Sequence, residues 1–294
     1  MINFFKTKRF IYIWLRSLFD LTGFAVYNNR IDKNRSNSDD GLFLYNVKEA
    51  VYNERKFNKF RNNFFWKSVV ENTSYNEALI YLKNINRKYL NNQNTENTKI
   101  FEYLEQIDKL FSAKTFYFST INKKISGNSI RYLKQSADIK KIFNKKKFKE
   151  VVEIGVGCGL QCLILDHLLQ IRKYILVDVD LVLKLSKKFL ENFILKLSYD
   201  FKTLNNFDNI GKYDLVISNY AFSELPKNLQ LMYLDKIILR AKNGYLTMNT
   251  GTKYSYNHND KHKHLSQQYL LSKIKNSKIL EDPINIKSNY IIYW

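Results

Sequence analysis

The stretch Val151-Val-Glu-Ile-Gly-Val-Gly-Cys-Gly159 reads as an apolar strand that runs directly into three glycines spaced G-x-G-x-G. Glycines at 155, 157 and 159 let the backbone take positive φ and let a ligand come close without meeting a Cβ. Beyond them, the segment from Cys158 to Gln170 puts Cys162, Leu165 and Leu169 on one helical face, as expected of a helix lying on a sheet. A second buried strand, Lys173 to Asp178, follows and ends in a carboxylate. Strand, glycine turn, helix and strand in this order predict an α/β, Rossmann-like sheet that takes its ligand at the C-terminal ends of its strands.

The spacing also narrows the ligand. A dinucleotide fingerprint needs G-x-G-x-x-G, but Leu160 holds the place of the last glycine and Gly159 arrives one residue early. S-adenosylmethionine has no pyrophosphate to seat on a helix N-terminus and needs only close backbone approach to its methionine and ribose portions. Asp178 stands at the separation at which a carboxylate accepts from ribose hydroxyls, with Asp180 in reserve, and Glu153 supplies an acidic residue ahead of the turn.

Glu153-Ile-Gly-Val-Gly-Cys-Gly159 resembles motif I of the class I S-adenosylmethionine-dependent methyltransferases. The resemblance covers roughly the second half of the chain and implies a seven-stranded sheet of order 3-2-1-4-5-7-6. On that pattern Tyr213–Ser218 is strand four, Gly244–Asn249 is strand five, and Lys278–Leu280 with Asn289–Trp294 form the closing antiparallel pair, so the chain is expected to end inside its last strand. Pro226 is expected to open the helix between strands four and five, and Gly244 to close it in the left-handed conformation. The cofactor contacts implied are Glu153, Gly155, Gly157, Gly159, Asp178 and Asn219, with Asp208 or its neighbours Asn206 and Phe207 against the adenine.

Ile217-Ser-Asn-Tyr-Ala-Phe-Ser-Glu-Leu-Pro226, with Tyr233-Leu234 and the strand ending in Asn249, is similar to the sugar O-methyltransferases of bacterial surface-polysaccharide gene clusters. In that group a strand ending in Asn-x-x-Phe-Ser-Glu precedes a helix, and a tyrosine early in that helix leads to a strand finishing in Asn. The resemblance implies a sugar, nucleotide-sugar or lipid-linked glycan acceptor, placed over Tyr220, Ser223 and Asn249. Methyl transfer to a hydroxyl is an in-line displacement that also needs a proton removed as the bond forms. Glu224 is the first candidate base, and it reads equally as a carboxylate favoured ahead of a helix N-terminus. The second candidate is His258, in the cluster His258-x-Asp260-x-His262-x-His264. Asn259, Lys261 and Lys263 give that cluster the look of a solvated loop, and no metal is expected. His167, alone among leucines, is assigned no role.

The 294 residues hold one such domain plus about a hundred more, which divides the chain into a mainly helical lobe (1–115) and a methyltransferase domain (116–294). Within the lobe Ser74 and Glu77 have capping-box spacing, and Ala78, Leu82, Ile85 and Tyr89 continue as a helical stripe. Asn91–Asn97 reads as a polar loop, and Ile100, Leu104, Ile107 and Phe111 make a second stripe. The run from Asn128 to Phe143 continues helically, and Asn144–Lys149 reads as a basic connection into strand one. By fold-level analogy, such a lobe caps the cofactor cleft or shapes the acceptor pocket.

The N-terminus starts like a signal peptide, but Arg16 and Asp20 interrupt an apolar stretch too short to span a bilayer. Phe10, Trp14, Leu18 and Leu21 share a helical face, which fits docking onto the protein or, with Lys6, Lys8, Arg9 and Arg16, peripheral contact of residues 1–25 with an anionic membrane. Cys158 and Cys162 read as small core residues on adjacent turns of one helix, in a reducing cytoplasm.

Lys and Arg number 48 against 27 Asp and Glu, a net charge of +21. That balance suits an anionic partner, but the abundance of Lys, Asn and Ile is equally what an A/T-rich coding sequence yields. Asn219-Tyr-Ala-Phe222 has the outline of the N-P-P-Y loop of nucleic-acid amino-methyltransferases, yet lacks both prolines that fix that loop against a flipped base. No RNA-binding appendage is recognisable, so nucleic acid is not the expected partner. A third class, a methyltransferase-like fold that binds without catalysing, is disfavoured by the intact glycines and Asp178. The expectation is therefore a cytoplasmic S-adenosylmethionine-dependent O-methyltransferase acting on a sugar hydroxyl.

Overall fold

The computed structural model describes residues 41–89, 95–144, 147–207, 211–249, 264–284 and 289–294. Helices come first: α1 (Leu42–Tyr52), α2 (Glu54–Phe57), a 3-10 turn (Phe60–Asn62) and α3 (Phe64–Val69). Asparagines punctuate them, because a short side-chain carbonyl satisfies N–H groups that a helix start leaves open. Asn53 accepts from Lys56 N–H, and Asn63 from Phe65 and Trp66 N–H. The capping box forms at α4 (Tyr75–Tyr89), where Ser74 N–H donates to Glu77 Oε2 at 2.7 Å and Glu77 N–H to Ser74 Oγ at 3.3 Å. α5 (Thr95–Leu110) begins inside the segment expected to be a loop. Ala78, Leu82 and Ile85 on α4, and Ile100, Leu104, Ile107 and Phe111 on or just after α5, are buried as their spacing predicts.

A hairpin that the periodicity did not mark comes next. β1 (Thr115–Phe118) and β2 (Lys123–Ser126) pair antiparallel, and the chain turns between them with Asn122 in the left-handed region at φ 49°. Ser126 then caps α6 (Gly127–Ile142) by accepting from Ser129 N–H at 3.1 Å. α6 is buried around nearly its whole circumference, Lys134, Gln135, Ser136 and Asp138 included. Lys134 is compensated by Asp138 one turn on, at 2.7 Å.

The rest alternates strand and helix: β3 (Lys147–Ile154), α7 (Leu160–Leu168), β4 (Gln170–Val177), α8 (Asp180–Leu190), β5 (Ser198–Lys202), β6 (Leu215–Asn219), α9 (Ala221–Glu224), α10 (Lys227–Lys236), β7 (Gly244–Met248), α11 (Gln267–Lys273), β8 (Lys278–Glu281) and β9 (Tyr290–Tyr293). The strands form one sheet of order β5-β4-β3-β6-β7-β9-β8, parallel except for β9, which runs antiparallel to both neighbours. Counted from β3 as strand one, this is 3-2-1-4-5-7-6, the expected α/β class I methyltransferase sheet. Successive residues point to opposite faces, so Val151, Tyr174, Ile217 and Tyr245 join the core under the helices up to α8. Val152, Ile175, Val216 and Leu246 join the core under α10 and α11. All described residues belong to one compact unit.

Four local expectations are corrected. β3 starts at Lys147, so the end of the supposed basic connection is strand, with Phe148 buried. α7 ends at Leu168 and β4 begins at Gln170, because Leu169 is already extended (φ −132°). Cys158 lies in the glycine turn ahead of α7, whereas Cys162 is inside it; both are buried, free thiols. Pro226 sits at the N-cap of α10, but Gly244 does not close that helix, which ends at Lys236. Gly244 is the first residue of β7, where a Cβ would fall 2.0 Å from the Trp294 ring; close packing of the C-terminal indole requires the glycine there.

Candidate active site

The topological switch point of the sheet lies between β3 and β6, and the glycine turn stands at its C-terminal edge. Gly155 N–H donates to Val177 O at 2.9 Å, while the Asp178 carboxylate accepts from Val156 N–H at 2.9 Å and from Val179 N–H at 2.7 Å. The carboxylate at the end of β4 thus fastens that strand to the turn. All three glycines have positive φ. The tightest is Gly155, where a Cβ would meet the Ala221 Cβ at 2.0 Å, so the turn after β3 and the loop after β6 lie in direct contact.

Beneath the turn Glu153 is buried, and its carboxylate oxygen Oε2 accepts from Tyr174 Oη at 2.9 Å. Burial pushes its pKa up to about 8, with Asp178 adding to the rise and the tyrosine bond opposing it. At neutral pH the group is therefore mainly a neutral carboxyl. The reserve acid Asp180 is the first residue of α8 and pairs with Lys184 at 2.6 Å.

The residues that follow β6 and β7 lie together. Asn219 Nδ2 donates to Gln161 Oε1 at 3.2 Å, and Thr247 Oγ1 to Asn219 Oδ1 at 3.4 Å. Ser223 Oγ lies 2.6 Å from Asn249 Oδ1, and Asn249 Nδ2 donates to Glu224 Oε1 at 3.1 Å. Glu224, Ser223 and Asn249 are thereby one cluster, built from the end of β7 and the short α9. His264 Nδ1 stands 3.1 Å from the Leu225 carbonyl oxygen. His258, Asp260 and His262 lie outside the described residues, as do Asp208 and residues 1–25. Phe207 is buried and packs on Tyr213. His167 stacks on Tyr103, with ring centroids 5.5 Å apart. Among the described residues no group of His, Cys, Asp and Glu is arranged to hold a metal ion, and no helix is long and apolar enough to cross a membrane.

Tyr81, Arg131 and Asp282, which sequence reasoning did not single out, meet at Tyr220. Tyr220 takes the left-handed conformation (φ 66°), and its hydroxyl donates to Asp282 Oδ2 at 2.8 Å, with Tyr81 Oη 3.4 Å away. The Arg131 guanidinium from α6 lies over the Tyr220 ring, 5.4 Å from its centroid, and donates to Val70 O and Asn72 Oδ1, both at 3.1 Å. Val70 and Tyr132 are also the groups nearest to a Cβ placed on Gly157, at 3.6 and 4.0 Å. The helices ahead of the sheet therefore reach the glycine turn itself. No local motif signals this, because Tyr81, Arg131, Tyr220 and Asp282 come from four separate segments.

A family model described as lysine methyltransferase matches residues 124–234. No curated protein sequence matches the chain. Among solved structures, an S-adenosylmethionine-dependent methyltransferase from Clostridium acetobutylicum ATCC 824 is 12% identical over 65% of this chain and 96% of that one, with a TM-score of 0.44. The CurJ carbon methyltransferase is 15% identical over 74% of this chain and 67% of that one, TM-score 0.44. Magnesium protoporphyrin IX methyltransferase from Synechocystis PCC 6803 is 12% identical over 57% and 81%, TM-score 0.40. Similarities this low add nothing to what the sheet order already says. Strand order and the glycine turn after the first parallel strand give the fold of the class I S-adenosylmethionine-dependent methyltransferases, and the family-model match lies across that turn.

Proposed function

We propose that the chain transfers a methyl group from S-adenosylmethionine to a hydroxyl of a sugar or sugar-containing precursor of surface polysaccharide. The observation that carries the reading is the hydrogen-bonded cluster of Ser223, Glu224 and Asn249 beside the glycine turn, formed by the very residues on which the sugar O-methyltransferase resemblance rests. The donor fits these residues: the three glycines hold the turn at positive φ, Asp178 stands beside it for the ribose, and Arg131 Nε and Gln135 Oε1 are buried polar atoms without a protein partner. When bound, S-adenosylmethionine supplies an electrophilic methyl on a sulfonium.

In this reading Tyr220 and Asn219 border the acceptor, and Glu224 takes its proton while Asn249 orients the carboxylate. Glu224→Gln lowers kcat by roughly 10²–10⁴ and leaves S-adenosylhomocysteine binding unchanged; turnover within about threefold of wild type removes Glu224 as the base.

A second reading, methylation of a protein lysine, is favoured by the family model over residues 124–234. Mass spectrometry of surface glycans and of tryptic peptides, from cells with and without the gene, separates the two. A methyl-sized loss from one glycan supports the sugar acceptor. Loss from a lysine-containing peptide supports the second reading, and label transferred to RNA in a strongly salt-dependent manner overturns both.

A further inference from the structure

α6 presents two buried polar atoms that its own protein leaves unsatisfied: the Nε–H of Arg131 and the carbonyl Oε1 of Gln135. They are one helical turn apart, and residues four apart on a helix share a face. The neighbours of that face identify it. Tyr132 on α6 approaches Gly157, Ser136 bonds Gln161 of α7, and Asp138 accepts from Tyr245 of β7 at 2.9 Å. Gln135 lies angularly between these residues, so the pair faces the edge of the sheet at the glycine turn.

Arg131 is also a charge without a counter-charge. It contacts the Val70 carbonyl, the Asn72 amide oxygen and the rings of Tyr132 and Tyr220, and among the described residues no carboxylate pairs with it. Its Nε–H is shut off from water without a partner although the residue is only partly buried, and a bound anion supplies what the protein lacks there. A cation with an unused donor and an unused carbonyl acceptor one turn away are the complement of an α-amino-acid zwitterion. The carboxylate needs the first and the ammonium needs the second.

We propose that Arg131 and Gln135 form a receptor for the α-amino-acid end of the ligand seated over the glycine turn, the carboxylate on Arg131 and the ammonium on Gln135 Oε1. This rests on the reading of that ligand as S-adenosylmethionine. Isothermal titration with S-adenosylhomocysteine and with 5′-methylthioadenosine, which lacks the amino-acid end, tests it on the full chain. Arg131→Gln weakens S-adenosylhomocysteine at least about tenfold and Gln135→Leu several-fold, whereas methylthioadenosine binds both variants as it binds wild type. Should Arg131→Gln fail to give a wild-type circular dichroism spectrum, Arg131→Lys, which keeps the charge and loses Nε–H, carries the same expectation. Equal affinities for S-adenosylhomocysteine across wild type and variants overturn the receptor while leaving the cofactor standing. A parallel loss for both ligands also overturns it, and a wild-type protein that binds neither ligand overturns the cofactor reading and the receptor with it.

Discussion

Two arginines of the helical layer, one fully buried and one partly buried, are treated in opposite ways. Arg61, fully buried in the 3-10 turn, is wrapped in partners: Glu71 on Nε, Asp108 at 2.6 Å on Nη1, and Ser126 and Ser129 on Nη2. Burial opposes its charge, but the two carboxylates overcome that opposition and hold it protonated. Asp108 in turn accepts from Ser126 N–H and Ser129 Oγ, so the network ties the 3-10 turn, α5, the hairpin and the start of α6 together. Arg131 has backbone, amide and ring contacts but no carboxylate. The first is a structural knot whose accounts are closed by the protein, and the second keeps bonding capacity in reserve.

The largest effect expected from that difference is at Arg61. Arg61→Met strands Glu71 and Asp108 in the interior and lowers unfolding free energy by about 3–5 kcal/mol in urea titration; a loss below about 1 kcal/mol would mean the knot is not structural. Next comes Gly155→Ala, which adds left-handed strain to the overlap with Ala221 and costs about 2 kcal/mol or more. Ala221→Gly in the same chain restores part of it, and strict additivity would separate the two loops. Glu153 provides a pH handle on the floor under the turn. Its folded pKa of about 8 lies above the ordinary glutamate value of 4.5, so between those values the native state holds a proton that the unfolded state has released. Stability therefore falls as pH rises through that window, by at most about 1.4 kcal/mol per unit. Glu153→Gln flattens the dependence, and an unchanged slope in urea titrations from pH 5 to 8 locates it elsewhere. The smallest effect is at Arg131, where Arg131→Met loses two hydrogen bonds but relieves an unpaired charge, for a net cost under about 1 kcal/mol without ligand. Should it cost as much as Arg61→Met, the distinction between the two arginines disappears.

The central strands β3, β4, β6 and β7 were legible because each contains a short apolar run, and parallel strands buried on both faces need little more, whereas β5, Ser198-Tyr-Asp-Phe-Lys202, is polar, half-exposed and unmarked. Strand order came with the family resemblance that the glycine turn carries, which also says which strand is central. The cap over that turn was hidden for a physical reason. α6 buries Lys134, Gln135, Ser136 and Asp138 together with its apolar residues, so hydrophobic periodicity cannot tell its faces apart. The hairpin at Thr115–Ser126 has only four residues a strand, and its exposed Tyr117 blurs the alternation. Of the site, the contiguous pieces from Glu153 to Gly159 and from Asn219 to Glu224 were readable. Arg131, Tyr81 and Asp282 were not, because tertiary structure alone brings them together.

The contact between Gly155 and Ala221 has a consequence for how the molecule handles two substrates. The turn that follows the first strand and the loop that carries Tyr220, Ser223 and Glu224 touch with no room for one extra carbon. Packed this closely, neither is expected to shift without the other, so a ligand at the first is expected to alter binding at the second, and the second at the first by the same free energy. If the turn takes the donor and the loop the acceptor, each is expected to change the affinity for the other by the same factor, whichever arrives first.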